Sequence, residues 1–452
     1  MMKNTDIAIK NIASGIENYT YRAPMKFGGR VVDSVTILNV CAEVESRDGK
    51  RGVGYGSMTM GNAWAWISSA MTNDQTLSAM VDFGQKVREW ASTLSGFHHP
   101  LEWCQQFSQH YQSVADDVRE EVGFSEAFPR LAQLVAASPL EAAMFDAYGK
   151  MLGRSSFQLL GPDFVNTDLS AYLGDDFQGE YLEQYVLPHP KKRMPLYHLV
   201  GGLDPLTEAD IPKRLNDGLP ETLEEWILAD GLTHLKIKLN GEDLRQDVER
   251  CVAIETITSA AQSQRGVKEW YYSADFNEKC RDEEYVLEWL RKMEERSPHM
   301  LACLQYIEQP TNRDLKALPR VEMFRVARQR PVVIDESLVD LESLLLSREL
   351  GYSGVALKAC KGHSEALLMG AAAQKYGLFL CVQDLTCPGA SFLHSASLAA
   401  HIPTVAAIEG NGRQYCPCAN AGYAEKYPEI FRISDGSIQT EVLDEPGLGF
   451  TF

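Results

Sequence analysis

The sequence predicts an α/β fold in which a (β/α)8 barrel of the TIM type follows an N-terminal α+β domain. Three observations support this fold class. Short apolar runs alternate with helical patterns at a spacing of roughly 20 to 40 residues from Met194 onward. Eight such runs are present, which suits a closed barrel better than an open sheet. The 452 residues also exceed the roughly 250 to 300 at which one core stops growing, so we expect two domains.

Composition limits the class of protein and its partners. Apolar residues make up 45% of the chain and charged residues 23%, as in ordinary globular proteins with a core. The net charge of -19 disfavours nucleic acid and anionic membranes as partners, because both are polyanions. The first residues show no apolar signal core, and no apolar run approaches the roughly 18 to 20 residues of a membrane span. We therefore expect a cytoplasmic protein.

The ten cysteines are spread along the chain, and several lie inside apolar strands. Because they do not form the framework of a small disulfide-rich protein, we expect reduced thiols. A zinc site built on Cys387, Cys416 and Cys418 is an alternative. It is disfavoured because no C-x-x-C pair or histidine cluster completes a shell of four ligands.

Residues 1–162 are predicted to form the N-terminal domain. The extended segments Val35–Val40 and Gly52–Gly56 flank an Asp-Gly turn, which predicts a β-hairpin, and the later part of the domain has a helical pattern. Two segments beside the hairpin, 21–30 and 57–66, are predicted to be loops. They are either ordinary connections or lids that close over a substrate and exclude water. The second would expose methionine and tryptophan side chains.

The remaining chain divides into three parts. Residues 163–190 are rich in Asp, Gly and Pro and are predicted to be a connector or insertion. The barrel occupies 191–415, and 416–452 leaves the periodic pattern and is expected to return to the first domain. Predicted barrel strands lie near 194–200, 233–239, 270–275, 303–308, 331–335, 354–358, 377–383 and 404–409. Helices fill the gaps, as at 242–262, 282–296 and 339–350. No Gly-rich dinucleotide fingerprint follows the first strand.

Charged residues lie at or near the C-terminal ends of several predicted barrel strands. Lys236 and Lys238 are two apart on an otherwise apolar strand, so they share one face. Downstream, four apolar runs end in a charged residue: Asp275, Glu308, Asp335 and Lys358. The C-terminal ends of parallel barrel strands open onto one mouth, so these side chains should converge there. We interpret the set as a divalent metal between two amine acid/bases.

Two alternatives give these residues no chemical role. The lysine doublet could lie on a solvated edge strand, and each acid, taken singly, could cap the helix that follows its strand. The three acids together are better explained by a metal, because three carboxylates would repel one another without a cation. Mg2+ prefers hard oxygen ligands of this type.

The order of these motifs resembles the enolase superfamily, and within it the mandelate racemase/muconate lactonizing enzyme group. The motifs are Lys236-Ile237-Lys238, Asp275-Phe276-Asn277, Ile307-Glu308-Gln309-Pro310, Asp335-Glu336-Ser337 and Lys358. The resemblance covers the whole chain in outline. It implies an N-terminal capping domain, a modified (β/α)8 barrel, and a C-terminal tail that completes the cap.

The resemblance also implies a role for each site residue. Asp275, Glu308 and Asp335 would bind Mg2+, with Mn2+ as a substitute. Lys238 and Lys358 would be the acid/base pair on opposite faces of the substrate, assisted by Lys236. Asn277 and Glu336 would support the site, although Glu336 in place of Asp335 as third ligand remains an open alternative.

The implied reaction removes the proton alpha to the carboxylate of a small organic acid and gives a metal-stabilised enolate. Racemisation, epimerisation, elimination or cycloisomerisation would come next. A lysine with its ordinary pKa of about 10.4 is a poor base at pH 7, so burial and the charge of Lys236 are expected to lower the pKa of Lys238. A Schiff-base-forming barrel lyase and a catalytically silent binding protein are the two alternative functions.

Substrate specificity is assigned to residues around the predicted mouth: Lys26, Arg30, Met58, Trp64, Gln383, Asp384 and Glu409. No histidine follows the seventh strand for a His-Asp dyad, and no Asp-x-Asp pattern of dipeptide epimerases follows the eighth. His363 and His394 are therefore expected to be structural or on the surface, and Lys361 has no assigned role. The expected partner is a small carboxylate substrate, and the resemblance implies a homo-oligomer.

Overall fold

A computed structural model describes residues 3–27 and 30–451. Its N-terminal part contains an antiparallel sheet of three strands in the order β1 (Ile7–Phe27), β2 (Arg30–Ser46) and β3 (Arg51–Thr59). The predicted Asp-Gly turn joins β2 to β3. There Gly49 has a φ of +84°, and its N–H donates to the Ser46 carbonyl over 2.9 Å. Such a φ is available to glycine without strain.

The two predicted loops beside this hairpin need correction. Residues 21–27 continue β1, because the β1–β2 ladder resumes after a register shift between Thr20 and Met25. Arg30 begins β2, and residues 28 and 29 lie outside the described residues. In the second segment, 57–59 belong to β3 and a short helix, α1 (Asn62–Ala65), comes after it. Its methionine and tryptophan side chains are buried: Trp64 packs over Lys358 of the barrel, and Trp66 packs on Phe124 and Phe128 of the cap.

Three long helices cover one face of this sheet: α2 (Asn73–Thr93), α3 (Pro100–Val122) and α4 (Arg130–Leu152). The backbone of α4 lies directly on β3 at Gly54 and Gly56. A Cβ at Gly54 would lie 2.1 Å from a backbone nitrogen of α4, and one at Gly56 would lie 1.9 Å from a backbone oxygen. Alternate glycines on β3 thus permit the helix to approach, which explains the Gly-x-Gly-x-Gly pattern of this strand.

The second part of the chain is a closed parallel barrel. Its strands are β4 (Met194–Val200), β5 (His234–Lys238), β6 (Tyr271–Asp275), β7 (Leu304–Glu308), β8 (Val332–Ile334), β9 (Gly354–Leu357), β10 (Phe379–Val382) and β11 (Ile408–Glu409). Each pairs in parallel with the next, and β11 also pairs with β4, which closes the ring. The predicted eight-stranded barrel with an N-terminal cap is confirmed.

Helices surround the barrel and fill the predicted gaps between strands. They are α6 (Leu223–Asp230), α7 (Leu244–Arg265), α8 (Glu283–Arg296), α9 (Pro298–Cys303), α10 (Phe324–Ala327), α11 (Leu341–Glu349), α12 (His363–Lys375) and α13 (Gly389–His401). The segment 163–190 contains the short helix α5 (Ser170–Leu173) and 3-10 turns. No helix in the described ranges is long and apolar enough to cross a membrane.

The C-terminal segment contacts both parts of the chain. After the short helices α14 (Gly412–Tyr415), α15 (Tyr423–Lys426) and α16 (Pro428–Phe431), strand β12 (Ser437–Ile438) pairs antiparallel with β4. Further on, the Leu448 N–H donates to Asp146 Oδ1 of α4 over 3.1 Å, and Gly447 exchanges backbone hydrogen bonds with Arg154 and Ser156. The tail therefore packs against the last helix of the cap.

Candidate active site

The barrel strands carry the predicted site residues to one mouth. In the strand register Lys238, Asp275 and Glu308 lie side by side at the C-terminal ends of β5, β6 and β7. Asp335 follows β8 and Lys358 follows β9 directly. In a ring of eight strands, β5 and β9 are the second and sixth barrel strands, so Lys238 and Lys358 enter from opposite sides.

Lys236 lies at the centre of the site among three carboxylates. Its Nζ is 2.7 Å from Glu308 Oε1, 2.8 Å from Glu409 Oε2 and 3.3 Å from Asp275 Oδ2. The side chain is almost completely buried. Burial alone would lower the pKa of Lys236, but the negative charges of Glu308, Glu409 and Asp275 raise it well above its usual value. Lys236 is therefore an ammonium group in this arrangement.

Lys238 is held by two residues of the next strand and its loop. Its Nζ donates to Asp275 Oδ2 over 2.5 Å and to Asn277 Oδ1 over 3.0 Å. Asn277 has a φ of +51°, a conformation that asparagine tolerates, and its N–H donates to Asp275 Oδ1. The pKa of Asp275 lies below its usual range, because Lys238 and Lys236 outweigh the effect of burial.

Asp335 lies between two buried lysines. Lys358 Nζ is 2.8 Å from Asp335 Oδ2, and Lys361 Nζ donates to Asp335 Oδ1 over 3.1 Å and to the Asp335 carbonyl. Despite burial, the two ammonium groups lower the pKa of Asp335 to about 2. Asp335 in turn raises the pKa of Lys358 above its usual value, against the effect of burial. At both Lys236 and Lys358, the neighbouring carboxylates thus outweigh the pKa-lowering effect of burial.

Trp64 is a cap residue that contacts the residues of the site. Its Nε1–H donates to Glu336 Oε1 over 2.8 Å, and its ring centre lies 4.5 Å from Lys358 Nζ and 5.6 Å from Lys361 Nζ. The Trp64 carbonyl accepts from Arg313 Nη1 over 3.0 Å. One cap residue therefore contacts groups from three barrel loops, and its ring face attracts the side-chain nitrogens of Lys358 and Lys361.

Gln383 and Glu409 belong to the buried floor of the site. Gln383 Nε2 donates to Glu308 Oε2 over 2.5 Å, while Glu409 pairs with Lys236. Asp384 is also buried, and it accepts from the backbone N–H groups of Thr386 and Cys387. Burial, and then the charge of Glu409, raise the pKa of Asp384 to about 7.

The other residues assigned to specificity lie farther out. Lys26 is exposed at the end of β1, and its aliphatic chain would lie 3.8 Å from a Cβ at Gly202. Arg30 is half-buried and donates to the Ser68 carbonyl over 2.6 Å, within the cap. Met58 is buried, and its sulfur lies 3.6 Å from Cys387 Sγ. The contacts of Arg30 and Met58 are those of packing residues, whereas Lys26 reaches the edge of the mouth.

The acids fit a hard divalent cation by their chemistry. Burial and the charges of Asp275 and Asp335 raise the pKa of Glu308 well above its usual range, so the centre has an excess of acidic groups. No group of three or more His, Cys, Asp or Glu side chains in the described part of the chain forms a preformed metal site. Ammonium groups stand among the acids instead. Glu336 Oε2 is buried and finds no hydrogen-bond partner among the described residues, so Glu336 remains a candidate ligand beside Asp335.

Sequence reasoning missed the roles of two cations, Lys361 and Arg313. Lys361 stands three residues after Lys358, and a 3-10 turn over Ala359–Lys361 puts both side chains on one side, since this helix has three residues per turn. The spacing of three residues between Lys358 and Lys361 is the sequence signal that could have identified Lys361. Arg313 pairs with Glu278 over 2.6 Å and holds the Trp64 carbonyl. Nothing in the sequence pattern connects Arg313 to a residue so far away in the chain.

Comparisons with known proteins agree with this architecture. The sequence model of the family described as enolase C-terminal domain-like matches residues 218–452. Among solved structures, a muconate lactonizing enzyme from Pseudomonas fluorescens, complexed with muconolactone, is 18% identical with a TM-score of 0.60; the match covers 98% of this chain and 96% of that one.

Two epimerase structures are similar to the same extent. A dipeptide epimerase from Enterococcus faecalis, complexed with Mg and the dipeptide L-Leu-L-Tyr, is 15% identical with a TM-score of 0.62, over 98% of this chain and 99% of that one. The L-Ala-D/L-Glu epimerase from Bacillus subtilis is 18% identical with a TM-score of 0.62, over 99% and 98%. No curated protein matches by sequence. At these identities the similar structures establish the fold.

Proposed function

The chain belongs to the enolase superfamily, in the mandelate racemase/muconate lactonizing enzyme group, and on that premise we propose that it is a Mg2+-dependent isomerase or lyase. Its substrate is a small organic acid, from which it removes the proton alpha to a carboxylate. The observation that carries this proposal is the position of Lys238 and Lys358 on opposite sides of a barrel mouth that also holds Asp275, Glu308 and Asp335.

In this proposal Asp275, Glu308 and Asp335 hold the metal, with Glu336 as the alternative to Asp335. When bound, Mg2+ supplies Lewis-acid stabilisation of the negative charge that develops on the substrate carboxylate, a contribution of several kcal/mol. The donor set supports Mg2+ because all of its atoms are carboxylate oxygens. The dipeptide epimerase from Enterococcus faecalis, a protein of the same fold, is complexed with Mg.

The two lysines divide the proton transfer. With a divalent cation beside Asp335, the negative charge that raises the pKa of Lys358 would be neutralised. The lysine in its neutral form then takes the alpha proton from its face of the substrate, and the lysine in its ammonium form returns a proton from the opposite face or protonates a leaving group. Lys236 would keep positive charge beside the substrate carboxylate, and Lys361 would orient Asp335. Trp64 closes the Lys358 side, and its apolar ring excludes water from that lysine. Racemisation, elimination and cycloisomerisation share the first proton transfer and differ only in the later steps.

Exchange of the alpha proton tests the reaction. The full chain is incubated in heavy water with Mg2+ and libraries of dipeptides, N-acyl amino acids and acid sugars, and deuterium incorporation is monitored by NMR. We expect exchange with at least one class, and loss of exchange when EDTA removes the metal. Trapping of a substrate on lysine by borohydride would instead support the Schiff-base lyase. Mg2+ binding without exchange on any class would support the silent binding protein.

Metal binding is tested without a substrate. Isothermal titration with Mg2+, and electron paramagnetic resonance with Mn2+, are applied to Asp275→Asn, Glu308→Gln, Asp335→Asn and Glu336→Gln. We expect the first two to weaken binding by more than about 100-fold. An equal loss in Asp335→Asn with near-normal Glu336→Gln identifies Asp335 as the third ligand, and the reverse result identifies Glu336. Glu342→Gln on the exposed face of α11 is the control.

A further inference from the structure

Two thiols that the proposed reaction does not use lie in contact after the last barrel strand. The sulfur atoms of Cys416 and Cys418 are 3.9 Å apart, on either side of Pro417. Among the described residues, this is the one pair of cysteine thiols in hydrogen-bonding contact. Proline fixes its own φ and so limits the conformations of the three-residue segment. The two sulfurs are therefore held close to each other by local structure.

The surroundings of the two thiols differ. Cys416 is fully buried and packs with Val35, Ile37 and Ala419. Cys418 is exposed, and its thiol contacts the Thr20 carbonyl of β1 at 3.8 Å. An oxidant in solution can thus reach Cys418 but not Cys416. This combination of an accessible thiol beside a shielded one is the arrangement of an attacking and a resolving cysteine.

The other cysteines are less suited to oxidation. Of the other eight cysteines, six are buried, and Cys41 and Cys303 are only partly exposed. Cys387, which could have joined the pair as a third thiol, instead contacts Thr59 and Met58. Cys418 is therefore the most accessible thiol of the described chain, and the second sulfur needed for a bridge is already beside it.

We propose that Cys416 and Cys418 are a redox modification site, which small-molecule disulfides of the glutathione type convert to a reversible intramolecular bridge. The bridge would draw the Cys418 sulfur away from the Thr20 carbonyl. Beyond Thr20, β1 continues to Met25, which packs on Leu199 and Tyr415 near the barrel mouth. The oxidised segment would therefore alter a contact between the C-terminal segment and the cap.

The reaction takes place in two exchange steps. The Cys418 thiolate attacks one sulfur of the small disulfide, forms a mixed disulfide and releases one thiolate. The Cys416 sulfur then attacks Sγ of Cys418, and its proton passes to the departing thiolate, which leaves as the second small thiol. Two protein thiols are oxidised by two electrons, and one small disulfide is reduced to two thiols. Burial raises the pKa of the Cys416 thiol to about 12, which is consistent with its acting second.

Peptide mass spectrometry tests the proposal on the full chain. The reduced protein is exposed to glutathione disulfide, unfolded, alkylated and digested. We expect the peptide with both cysteines to be two hydrogens lighter and unalkylated, and the Cys418 thiol to disappear at least about tenfold faster than those of Cys41 and Cys303. Added dithiothreitol should restore both thiols.

Two variants separate the roles of the two cysteines. Cys416→Ala should stop at a stable glutathione adduct on Cys418, and Cys418→Ala should leave Cys416 fully alkylated after unfolding. Circular dichroism checks that both variants fold; the wild-type mass shift decides the question even if one does not. A glutathione adduct on Cys418 without a bridge in the wild type, or equal reaction of Cys41 and Cys303, would overturn the proposal.

Discussion

The two sides of the barrel mouth hold their lysines in different ways. Lys238 donates to Asp275 and Asn277, which both belong to the barrel, and 11% of its side chain is exposed. Lys358 is 4% exposed, and it lies between Asp335 of the barrel and the ring of Trp64 from the cap. The barrel therefore supplies two hydrogen-bond acceptors to Lys238, while the position of Lys358 also depends on how the cap is seated.

The two sides also differ in the hydrogen bonds that hold the backbone next to each lysine. Arg250 of α7 donates to the Lys238 carbonyl, again within the barrel. After Lys358 the chain continues into α12, where Ser364 donates its N–H and hydroxyl to Glu141 of the cap helix α4. Cap and barrel therefore share the Lys358 half of the proposed site. Substitutions on each side of the mouth should either confirm this asymmetry or remove it.

Removal of either lysine gives the largest expected effect. Lys238→Ala and Lys358→Ala should each reduce exchange of the alpha proton by about 100- to 10,000-fold, because each removes an acid/base group. With separate enantiomers of a substrate, each variant should abolish proton removal from one enantiomer only. Deuterium exchange monitored by NMR measures both. Lys268→Ala, in the exposed turn before β6, is the matched control. Equal losses for both enantiomers in both variants would contradict assignment to opposite faces.

Substitution of Trp64 tests whether the cap acts on one lysine alone. Trp64→Leu removes the ring over Lys358 and the hydrogen bond to Glu336, and should reduce exchange on the Lys358 face by about tenfold, with little change on the Lys238 face. Trp64→Phe keeps an aromatic ring and should recover part of the loss. Trp66→Phe, whose Nε1–H donates to Glu126 within the cap, is the control. A loss shared by both faces would mean that Trp64 acts only on folding.

Asn277 provides the reciprocal test on the other side. Asn277→Gly removes the hydrogen bond to Lys238 and keeps the φ of +51° accessible. A hydrogen bond with a charged donor contributes about 1.5 kcal/mol or more, so exchange on the Lys238 face should fall about tenfold. Rates on the Lys358 face should stay near those of the wild type. A larger effect on the Lys358 face would break the proposed division.

Protonation of a buried histidine pair should destabilise the cap-supported side of the mouth. His363 and His394 are buried and hydrogen-bonded to each other over 3.0 Å, so they are structural, and the surface position that the sequence left open is excluded. Burial lowers the pKa of both, that of His394 to about 4. Below the histidine pKa of the unfolded chain, about 6.5, the unfolded chain binds more protons than the folded chain. Stability present above that pH is thus lost as the pH falls toward 4, by up to about 1.4 kcal/mol per pH unit for each proton.

Hydrogen exchange at pH 7 and pH 5, corrected for intrinsic rates, measures this loss in α12 and α7. Buried Glu365 of α12 acts in the opposite direction, because burial raises its pKa to about 8. The histidine contribution is therefore measured with His394→Asn, which should lose less protection than the wild type between pH 7 and pH 5 in α12, with little difference in α7 behind Lys238. An equal effect of His394→Asn on the protection of both helices would show that the histidine pair does not act on one side of the site alone.

The sequence predicted the barrel well because its signals are local. Four of the apolar runs end in a charged residue, as at Asp275 and Lys358, and an Asp-Gly turn marks the hairpin. The errors concern contacts between distant segments. Trp64 was expected in an exposed loop because no local pattern shows that Glu336 accepts its indole N–H. Lys361 received no role from the sequence because its partner, Asp335, follows a different barrel strand.

The packing of the C-terminal tail has a consequence for biosynthesis. A Cβ at Gly149 of α4 would lie 2.6 Å from the backbone of Gly447, so the tail occupies a groove that is already built into the cap helix. The first domain to leave the ribosome must wait for nearly 300 further residues before that groove is filled. During translation, α4 would therefore present an uncovered surface to chaperones, and the cap would reach its final form only when the barrel is complete.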